Sequence, residues 1–129
     1  MLKQTVIIDD DPINNMICEK LLMMSEVTQS ARSFLTAADA LEWLLPLPLN
    51  AHPELILLDI NMPLIDGWGF LDRLQKQIPA HSIRICILTS SISLEDEAQA
   101  ATYAVVTDFL AKPLTLDKIK NLEIIPSIS

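Results

Sequence analysis

The chain has 129 residues, a length typical of one domain, and half of them are hydrophobic although only 5% are aromatic. The formal net charge of −8 argues against nucleic acid or anionic membranes as partners. No apolar stretch reaches the roughly 20 residues of a membrane span, and the N-terminus lacks a signal-peptide core. We therefore expect a cytoplasmic protein with a single domain over residues 1–129 and no output domain.

Cysteines and histidines give no sign of a metal or catalytic motif. Cys18 and Cys86 lie in separate apolar stretches without metal or redox spacing, and we expect both to be buried, reduced thiols. His52 and His81 have no partner at the spacing of a catalytic triad or a metal site.

The first strand and helix are predicted from the N-terminal pattern. Thr5–Ile8 is a continuous apolar run, typical of a strand covered on both faces. Asp11 then acts as a helix cap, with Pro12 at the first helical position. The helix continues through residues at helical spacing, namely Ile13, Ile17, Leu21 and Met24. Its methionines are expected mostly in the core: Met16, Met23 and Met24.

The rest of the chain repeats this strand and helix alternation. Further strands are predicted at 29–33, 55–58, 83–88 and 105–110. Further helices are predicted at 37–45, from 67 to about 78, from 94 to about 102, and after Thr115. Five β-α repeats predict an α/β fold, a doubly wound parallel sheet with helices on both faces.

Carboxylates follow the two most strongly apolar strands. Asp9 and Asp10 leave the first strand, and Asp59 leaves the third. Ligands of doubly wound sheets bind beyond the carboxyl ends of the strands where the strand order reverses, which for the order 2-1-3-4-5 is between strands 1 and 3. Carboxylates ~4 Å apart repel by about 4 kcal/mol at an effective dielectric of 20, and a hard divalent cation such as Mg²⁺ relieves that repulsion. Asp11 fits best as the cap, although a cation pair of Asp10 and Asp11 stays open.

Four motifs resemble the receiver domains of two-component response regulators. They lie in the family's order and spacing and span nearly the whole chain. The matching segments are Ile7–Pro12, Leu55–Pro63 with Asp66-Gly67, Ile87–Ser90, and Asp108–Pro113. The resemblance implies a flavodoxin-like, CheY-like (βα)5 fold with the sheet order 2-1-3-4-5.

The resemblance also implies the chemistry of the acidic residues. Asp59 would be the nucleophile that takes a phosphoryl group from a phosphohistidine donor. Asp10, Asp59 and the backbone carbonyl of Asn61 would bind Mg²⁺, or Mn²⁺ in its place, with Asp9 binding directly or through water. Lys112 would pair with Asp59 before the transfer and with a phosphoryl oxygen afterwards.

Other family positions have counterparts here. Thr89 would donate its hydroxyl to the phosphoryl group. Phe109 matches the aromatic switch position, although a buried strand phenylalanine explains it nearly as well. The peptide bond before Pro113 is implied to be cis. Asn61 and Ser91 would border the path of the attacking water and so set the lifetime of the acylphosphate.

The resemblance implies a phosphorelay role by protein contact. A sensor histidine kinase or a histidine phosphotransfer protein would be the donor, and a protein partner or a phosphorylation-dependent dimer would be the output. Two features depart from the family. Tyr103–Thr107 lacks the glycine usual before strand 5, and the last helix is short. Three apolar residues beyond it are expected to pack over the output face: Ile124, Ile125 and Ile128.

Two other function classes fit part of the pattern. Asp9 and Asp11 mimic the DxD motif of haloacid-dehalogenase-type phosphatases, but the chain is short for that fold and Asp59 would go unexplained. A pseudo-receiver would bind a partner without phosphorylation, and the set of Asp59, Thr89 and Lys112 argues against it. We expect no substrate turnover beyond the chain's own phosphorylation and dephosphorylation.

Overall fold

A computed structural model describes residues 1–79, 82–90 and 92–122, in which strands and helices alternate. The strands are β1 (Leu2–Ile8), β2 (Thr28–Phe34), β3 (Leu55–Leu58), β4 (Arg84–Thr89) and β5 (Val106–Ala111). The helices are α1 (Pro12–Met24), α2 (Ala37–Leu44), α3 (Gly67–Gln77), α4 (Leu94–Ala100) and α5 (Leu116–Lys120), with a 3₁₀ turn at Leu49–Ala51. Every predicted element is present, and the largest shift of a boundary is the start of β1 at Leu2 instead of Thr5.

All neighbouring strands of the sheet are parallel, and their order is β2-β1-β3-β4-β5. The predicted doubly wound topology is therefore confirmed. The chain moves outward from β1 to β2 and then returns across β1 to β3, so the order reverses between β1 and β3. This reversal leaves a crevice at the carboxyl ends of these two strands.

Side-chain caps fix where each described α-helix begins. Each capping side chain accepts a hydrogen bond from a backbone N–H in the first turn, an interaction that stabilises a helix by about 1 kcal/mol. The capping residues are Asp11, Thr36, Asp66, Ser93 and Thr115. The starts of the helices are thus encoded locally, which explains why the sequence predicted them closely.

The hydrophobic core has two parts, one on each face of the sheet. Alternate strand residues point to opposite faces, so Ile56 and Leu58 join one cluster while Leu55 and Leu57 join the other. Helices α2, α3 and α4 cover the first face, and α1 and α5 cover the second. None of the described helices combines the length and apolar composition needed to cross a membrane.

The face that α1 buries differs from the predicted one. Asn15, Cys18 and Leu22 are its buried residues. The prediction that the methionines lie mostly in the core is wrong, because Met16, Met23 and Met24 are 53%, 46% and 70% exposed. The apolar residues Ile13 and Ile17 are also exposed, at 63% and 48%. Helical spacing alone could not locate the buried face, because the helix carries apolar residues on both sides.

The buried thiols are placed as predicted, since Cys18 and Cys86 are 1% and 0% exposed. Burial in the core raises the pKa of the Cys18 thiol to about 11. Burial also raises the pKa of Cys86, so both thiols stay protonated at neutral pH.

Tyr103 occupies the turn before β5 where the family's usual glycine is missing. Its ring stacks on Trp68 with the centroids 5.9 Å apart, and its hydroxyl donates to Asp72 at 2.7 Å. Among the described non-glycine residues, only Glu26 and Leu64 have positive φ, so this turn does not need the conformational freedom of glycine. Tyr103 instead ties the turn to α3.

The C-terminal helix is short, as predicted, with five residues. The expected packing of Ile124, Ile125 and Ile128 lies outside the described residues.

Candidate functional site

The candidate site lies beyond the carboxyl ends of β1 and β3. These strands are in register at Ile8 and Leu58, so Asp9 and Asp59 follow them side by side. The backbone N–H of Asp59 donates to the carbonyl of Ile8 at 2.9 Å and extends this pairing into the site. One carboxylate oxygen each from Asp9, Asp10 and Asp59 lies within 4.8 Å of the other two. The structure thus brings together the three carboxylates expected at this crevice.

Two of these carboxylates are buried. Asp9 is 2% exposed and Asp59 is 6% exposed, whereas Asp10 is exposed. A carboxylate withdrawn from water is costly unless cations or hydrogen-bond donors surround it. The donors around Asp9 and Asp59 therefore show how the fold maintains the site.

Asp9 has a donor on each side of its carboxylate. Its Oδ1 accepts the backbone N–H of Asp11 at 2.9 Å. Its Oδ2 accepts from Nδ2 of Asn14 at 2.8 Å and from Nζ of Lys112 at 2.6 Å. The side chain of Asn15 donates to the backbone carbonyl of Asp9 at 2.9 Å. Both the main chain and the side chain of Asp9 are thus fixed.

Asp11 is used differently from the two aspartates before it. Its Oδ1 accepts the backbone N–H groups of Ile13 at 2.9 Å and Asn14 at 3.3 Å, which is the geometry of a helix cap. The carboxylate cluster that could hold a cation consists of Asp9, Asp10 and Asp59.

Lys112 reaches the cluster from the end of β5. Its Nζ lies 2.6 Å from Oδ2 of Asp9 and 3.5 Å from Oδ2 of Asp59, and the lysine side chain is 20% exposed. The backbone N–H of Lys112 donates to the carbonyl of Thr89 at 2.8 Å, which anchors it to β4. The bond between Lys112 and Pro113 is cis. In this structure the ammonium is closer to Asp9 than to Asp59.

A second lysine braces the loop that carries Lys112. Nζ of Lys118, on α5, donates to the carbonyl of Ala111 at 2.6 Å and to the carbonyl of Pro113 at 2.9 Å. These carbonyls lie on the two sides of Lys112. The ammonium of Lys118 thus holds the backbone from which Lys112 extends.

Burial and the nearby carboxylate of Asp9 are the main influences on the pKa values of Asp59 and Lys112. Burial, followed by the charge of Asp9, raises the pKa of Asp59, while the backbone N–H of Asn61 and the charge of Lys112 oppose the shift. Burial by itself would lower the pKa of Lys112, but the hydrogen bond and charge of Asp9, then those of Asp59, raise it overall. Lys112 is therefore a firmly held cation at neutral pH.

Asn61 connects Asp59 to Thr89. Its backbone N–H donates to Oδ1 of Asp59 at 3.0 Å, and its side-chain amide donates to the hydroxyl of Thr89 at 3.3 Å. Thr89 is fully buried at the end of β4. Asn61, two residues after Asp59, therefore connects that carboxylate to the hydroxyl that the resemblance expects to bind a phosphoryl group.

Gly67 allows the loop after β3 to pack directly behind Asp59. A Cβ at this position would lie 2.6 Å from Cα of Ile60 and 3.0 Å from the carbonyl oxygen of Asp59. The backbone N–H of Gly67 donates to the carbonyl of Ile60 at 3.2 Å. Any side chain at residue 67 would displace the backbone that carries Asp59.

Phe109 and Ser91 are the two remaining positions named by the resemblance. Phe109 is half-buried in β5 and packs against the core cluster on the α4 side. This position suits either a packed phenylalanine or an aromatic switch, so both interpretations stand. Ser91, expected to affect the lifetime of the acylphosphate, lies outside the described residues.

The donor chemistry of the cluster fits a hard divalent cation. The three carboxylates carry three negative charges and Lys112 carries one positive charge, which leaves two negative charges uncompensated. Oxygen donors at this spacing favour Mg²⁺ or Mn²⁺ over softer metals. Beside the cation site, the buried carboxylate of Asp59 faces a lysine ammonium, an arrangement suited to attack on a phosphoryl group.

Three residues in contact with this site were not among the predicted ones: Asn14, Asn15 and Lys118. Asparagine has a low helix propensity, and two in succession near the start of the helix that follows the acidic run were the available signal. Lys118 gave no signal, because a lysine in a short terminal helix usually faces solvent.

The chain matches the model of one protein family, the response regulator receiver domain, over residues 5–122. A protein-glutamate methylesterase/protein-glutamine glutaminase 2 of Shewanella sp. (strain MR-4) is 34% identical, over 93% of this chain and 36% of that protein. The chain spans between 11% and 36% of the length of four such curated relatives. The similarity is thus confined to one part of longer proteins.

Solved structures resemble this chain over nearly its full length. A two-component response regulator from Cytophaga hutchinsonii has a TM-score of 0.84 and 28% identity, covering 93% of this chain and 92% of that one. A response regulator receiver protein from Dyadobacter fermentans DSM 18053 has a TM-score of 0.81 and 28% identity, covering 91% of each chain. The similarity of fold therefore extends over most of this chain.

Proposed function

Because this chain belongs to the response regulator receiver domain family, matched over residues 5–122, we propose that it accepts a phosphoryl group on Asp59 from a phosphohistidine donor. The observation that carries the proposal is the position of Asp59, buried beside the ammonium of Lys112 and the carboxylates of Asp9 and Asp10. A carboxylate with only a structural role would not need two further acids beside it. A phosphoryl acceptor that works with a divalent cation needs these acids to bind the cation.

The proposed step is an in-line transfer. An oxygen of Asp59 forms a bond to phosphorus while the phosphorus–nitrogen bond of the donor breaks, and the electron pair of that bond leaves with the imidazole. The product is an acylphosphate on Asp59. Mg²⁺ or Mn²⁺, held by Asp9, Asp10, Asp59 and the carbonyl of Asn61, would neutralise charge on the phosphoryl oxygens.

The neighbouring residues support this role by their positions. Lys112 already contacts Asp59 at 3.5 Å, and its long flexible side chain can follow the charge onto a phosphoryl oxygen. Thr89 offers its hydroxyl to the same group, and its contact with Asn61 would break as it moves. Phe109 would then turn inward and carry the change to the surface around α4 and β5.

The lifetime of the acylphosphate would depend on water access at Asn61 and Ser91. Asn61 is exposed at the mouth of the site, where it can hinder or guide an incoming water molecule. No substrate other than the chain's own phosphoryl group is proposed, because receiver domains are generally non-enzymatic signalling modules. The methylesterase activity named for some relatives belongs to much longer proteins.

Partners are proposed from the family and from the charge of the chain. Receiver domains interact with histidine kinases or phosphotransfer proteins and with downstream effectors. One relative, 29% identical over 90% of this chain, is the sensor histidine kinase RcsC of Escherichia coli (strain K12). We propose a histidine kinase or phosphotransfer protein as donor, and a protein partner or a second phosphorylated copy as output.

The test is labelling with acetyl phosphate and Mg²⁺, followed by intact-protein and peptide mass spectrometry. The wild-type chain should gain one phosphoryl group on the peptide that contains Asp59. Asp59→Asn should abolish the gain and keep the fold. Asp39→Asn, at an exposed carboxylate in α2, is the matched control and should label like wild type.

Three outcomes would contradict the proposal. Labelling of Asp59→Asn at the wild-type rate would remove Asp59 as the acceptor. A phosphoryl or beryllofluoride group found on Asp9 would favour the phosphatase class. If neither acetyl phosphate nor any histidine kinase encoded by a neighbouring gene labels the chain, the result would favour a pseudo-receiver.

A further inference from the structure

Asn14 holds the carboxylate of Asp9 on the oxygen that Lys112 also uses. Nδ2 of Asn14 lies 2.8 Å from Oδ2 of Asp9, and Nζ of Lys112 lies 2.6 Å from the same atom. One donor is neutral and fixed to a helix, while the other is charged and on a flexible side chain. The two donors therefore respond differently when charge in the site is redistributed.

The first turn of α1 determines where Asn14 lies. Asp11 accepts the backbone N–H of Asn14 and thereby fixes the start of the helix. The next residue, Asn15, is 3% exposed and donates to the backbone carbonyl of Asp9, although its own Oδ1 has no hydrogen-bond partner. An unpaired buried amide oxygen destabilises the fold, because it has lost its hydrogen bonds to water. Asn15 is thus retained at a cost, which fits a role in holding Asp9.

We infer that Asn14 is a positioning residue that presents Asp9 to the divalent cation, and that Asn15 anchors the backbone of Asp9 for the same purpose. This inference rests on the proposed function, because it concerns the cation that supports phosphoryl acceptance. Asn14 does not touch the reacting atoms. It acts through the orientation of the Asp9 carboxylate.

The physical reason is the exchange of partners that Lys112 must undergo. A cation bound by Asp9, directly or through water, competes with the Lys112 ammonium for the same carboxylate, and phosphorylation draws the lysine to the phosphoryl group. When the ammonium leaves, Oδ2 of Asp9 keeps the amide of Asn14 as its donor. The buried carboxylate of Asp9 therefore keeps its orientation and one hydrogen-bond donor from the protein while the charged groups around it change.

The test is a Mg²⁺ titration of the full chain by isothermal titration calorimetry, without any phosphodonor. Asn14→Ala should weaken Mg²⁺ binding about 10-fold or more, the range typical of residues that orient metal ligands. Asn50→Ala, at an exposed asparagine in the 3₁₀ turn, is the matched control and should bind Mg²⁺ like wild type. Asn15→Leu, which fills the same space without the amide, should also weaken binding.

A second measurement separates positioning from a general loss of structure. In acetyl phosphate labelling, Asn14→Ala should need a correspondingly higher Mg²⁺ concentration for half-maximal rate. Its rate at saturating Mg²⁺ should stay within about 3-fold of wild type, because the lost interaction affects cation binding rather than the transfer step. A variant that is only misfolded would show a lower amplitude at every Mg²⁺ concentration.

The inference and the proposed function fail in different ways. If Asn14→Ala binds Mg²⁺ within about 2-fold of wild type, the inference is wrong even where Asp59 is labelled. A wild-type chain that does not bind Mg²⁺ also overturns it. If the variant binds Mg²⁺ weakly but the wild type is never labelled, the proposed function fails while the positioning role of Asn14 stands.

Discussion

Asp59 is buried beside a second carboxylate, so its ionised form is held at a cost to the fold. Its pKa is raised by burial and then by Asp9, above the ordinary value of 3.8. A carboxyl whose folded-state pKa exceeds its unfolded value binds its proton more tightly when folded. The contribution of Asp59 to the free energy of unfolding is therefore most favourable below pH 3.8. This contribution is lost as the pH rises through the pKa of Asp59 in the folded protein.

Replacement of this charge should stabilise the metal-free protein. We expect Asp59→Asn to raise the free energy of unfolding at pH 7, and the gain should shrink as pH falls through the raised pKa of Asp59, because protonation removes the buried charge. Urea denaturation in EDTA from pH 4 to 8 measures this dependence. In the control Asp39→Asn, the free energy of unfolding at pH 7 should instead fall by a few tenths of a kcal/mol, because the substitution removes a charge from the first turn of α2. A destabilised Asp59→Asn at pH 7 would show that Lys112 outweighs the burial cost.

At the scale of elements, α1 carries apolar residues on both sides but buries only one of them. Leu22 is fully buried between α1 and the sheet, whereas Met24 is 70% exposed. Leu22→Ala should therefore cost about 2–5 kcal/mol, because it leaves a cavity in the core. Met24→Ala, a similar truncation on the exposed side, should change stability by no more than about 0.5 kcal/mol. Urea denaturation of both variants tests the assignment, and equal costs would contradict it.

Helix α5 contributes to the site through one lysine. Lys118→Met removes the ammonium that binds the carbonyls on both sides of Lys112, so the loop and the ammonium of Lys112 should lose their position. We expect the rate of acetyl phosphate labelling at saturating Mg²⁺ to fall about 10-fold, since small misplacements of reacting groups are costly. The Mg²⁺ concentration for half-maximal rate should change little, because Lys118 does not contact the carboxylates.

Lys120 provides the matched control for this prediction. It lies on the same helix and is exposed, so Lys120→Met removes the same charge without touching the loop. Equal rates for Lys118→Met and Lys120→Met would assign any effect to net charge rather than to the position of Lys112.

At the scale of the whole molecule, cation binding should stabilise the folded chain. The three carboxylates come from two segments that are neighbours only in the folded sheet, so the unfolded chain offers no comparable site. Mg²⁺ at 100 times its dissociation constant should add about 2.7 kcal/mol to the free energy of unfolding. Urea denaturation with and without Mg²⁺ measures the gain.

Asp10→Asn tests whether this stabilisation comes from the carboxylate cluster. Asp10 is exposed, so the variant should fold normally in EDTA, yet most of the gain from Mg²⁺ should disappear. An undiminished gain in Asp10→Asn would locate the cation elsewhere.

The sequence predicted the features whose causes are local. Apolar runs such as Leu55–Leu58 predicted the strands, and residues such as Asp11 and Thr36 predicted the helix starts through their caps. The three carboxylates of the site were also predicted, because parallel strands place their carboxyl ends at one edge. The sheet order came from the resemblance of four motifs to a known family.

Tertiary structure decided what depends on the rotation of a helix or on contacts distant in sequence. The buried side of α1 could not be predicted, because Ile13 and Met24 are as apolar as the residues that pack. Tyr103 holds the turn before β5 by stacking on a residue 35 positions earlier, Trp68. The sequence by itself therefore determined which acidic residues follow the ends of β1 and β3. Packing of α1 and α5 against the sheet determined that Asn14 contacts the carboxylate of Asp9 and that Lys118 holds the loop of Lys112, because these contacts exist only after the helices are docked.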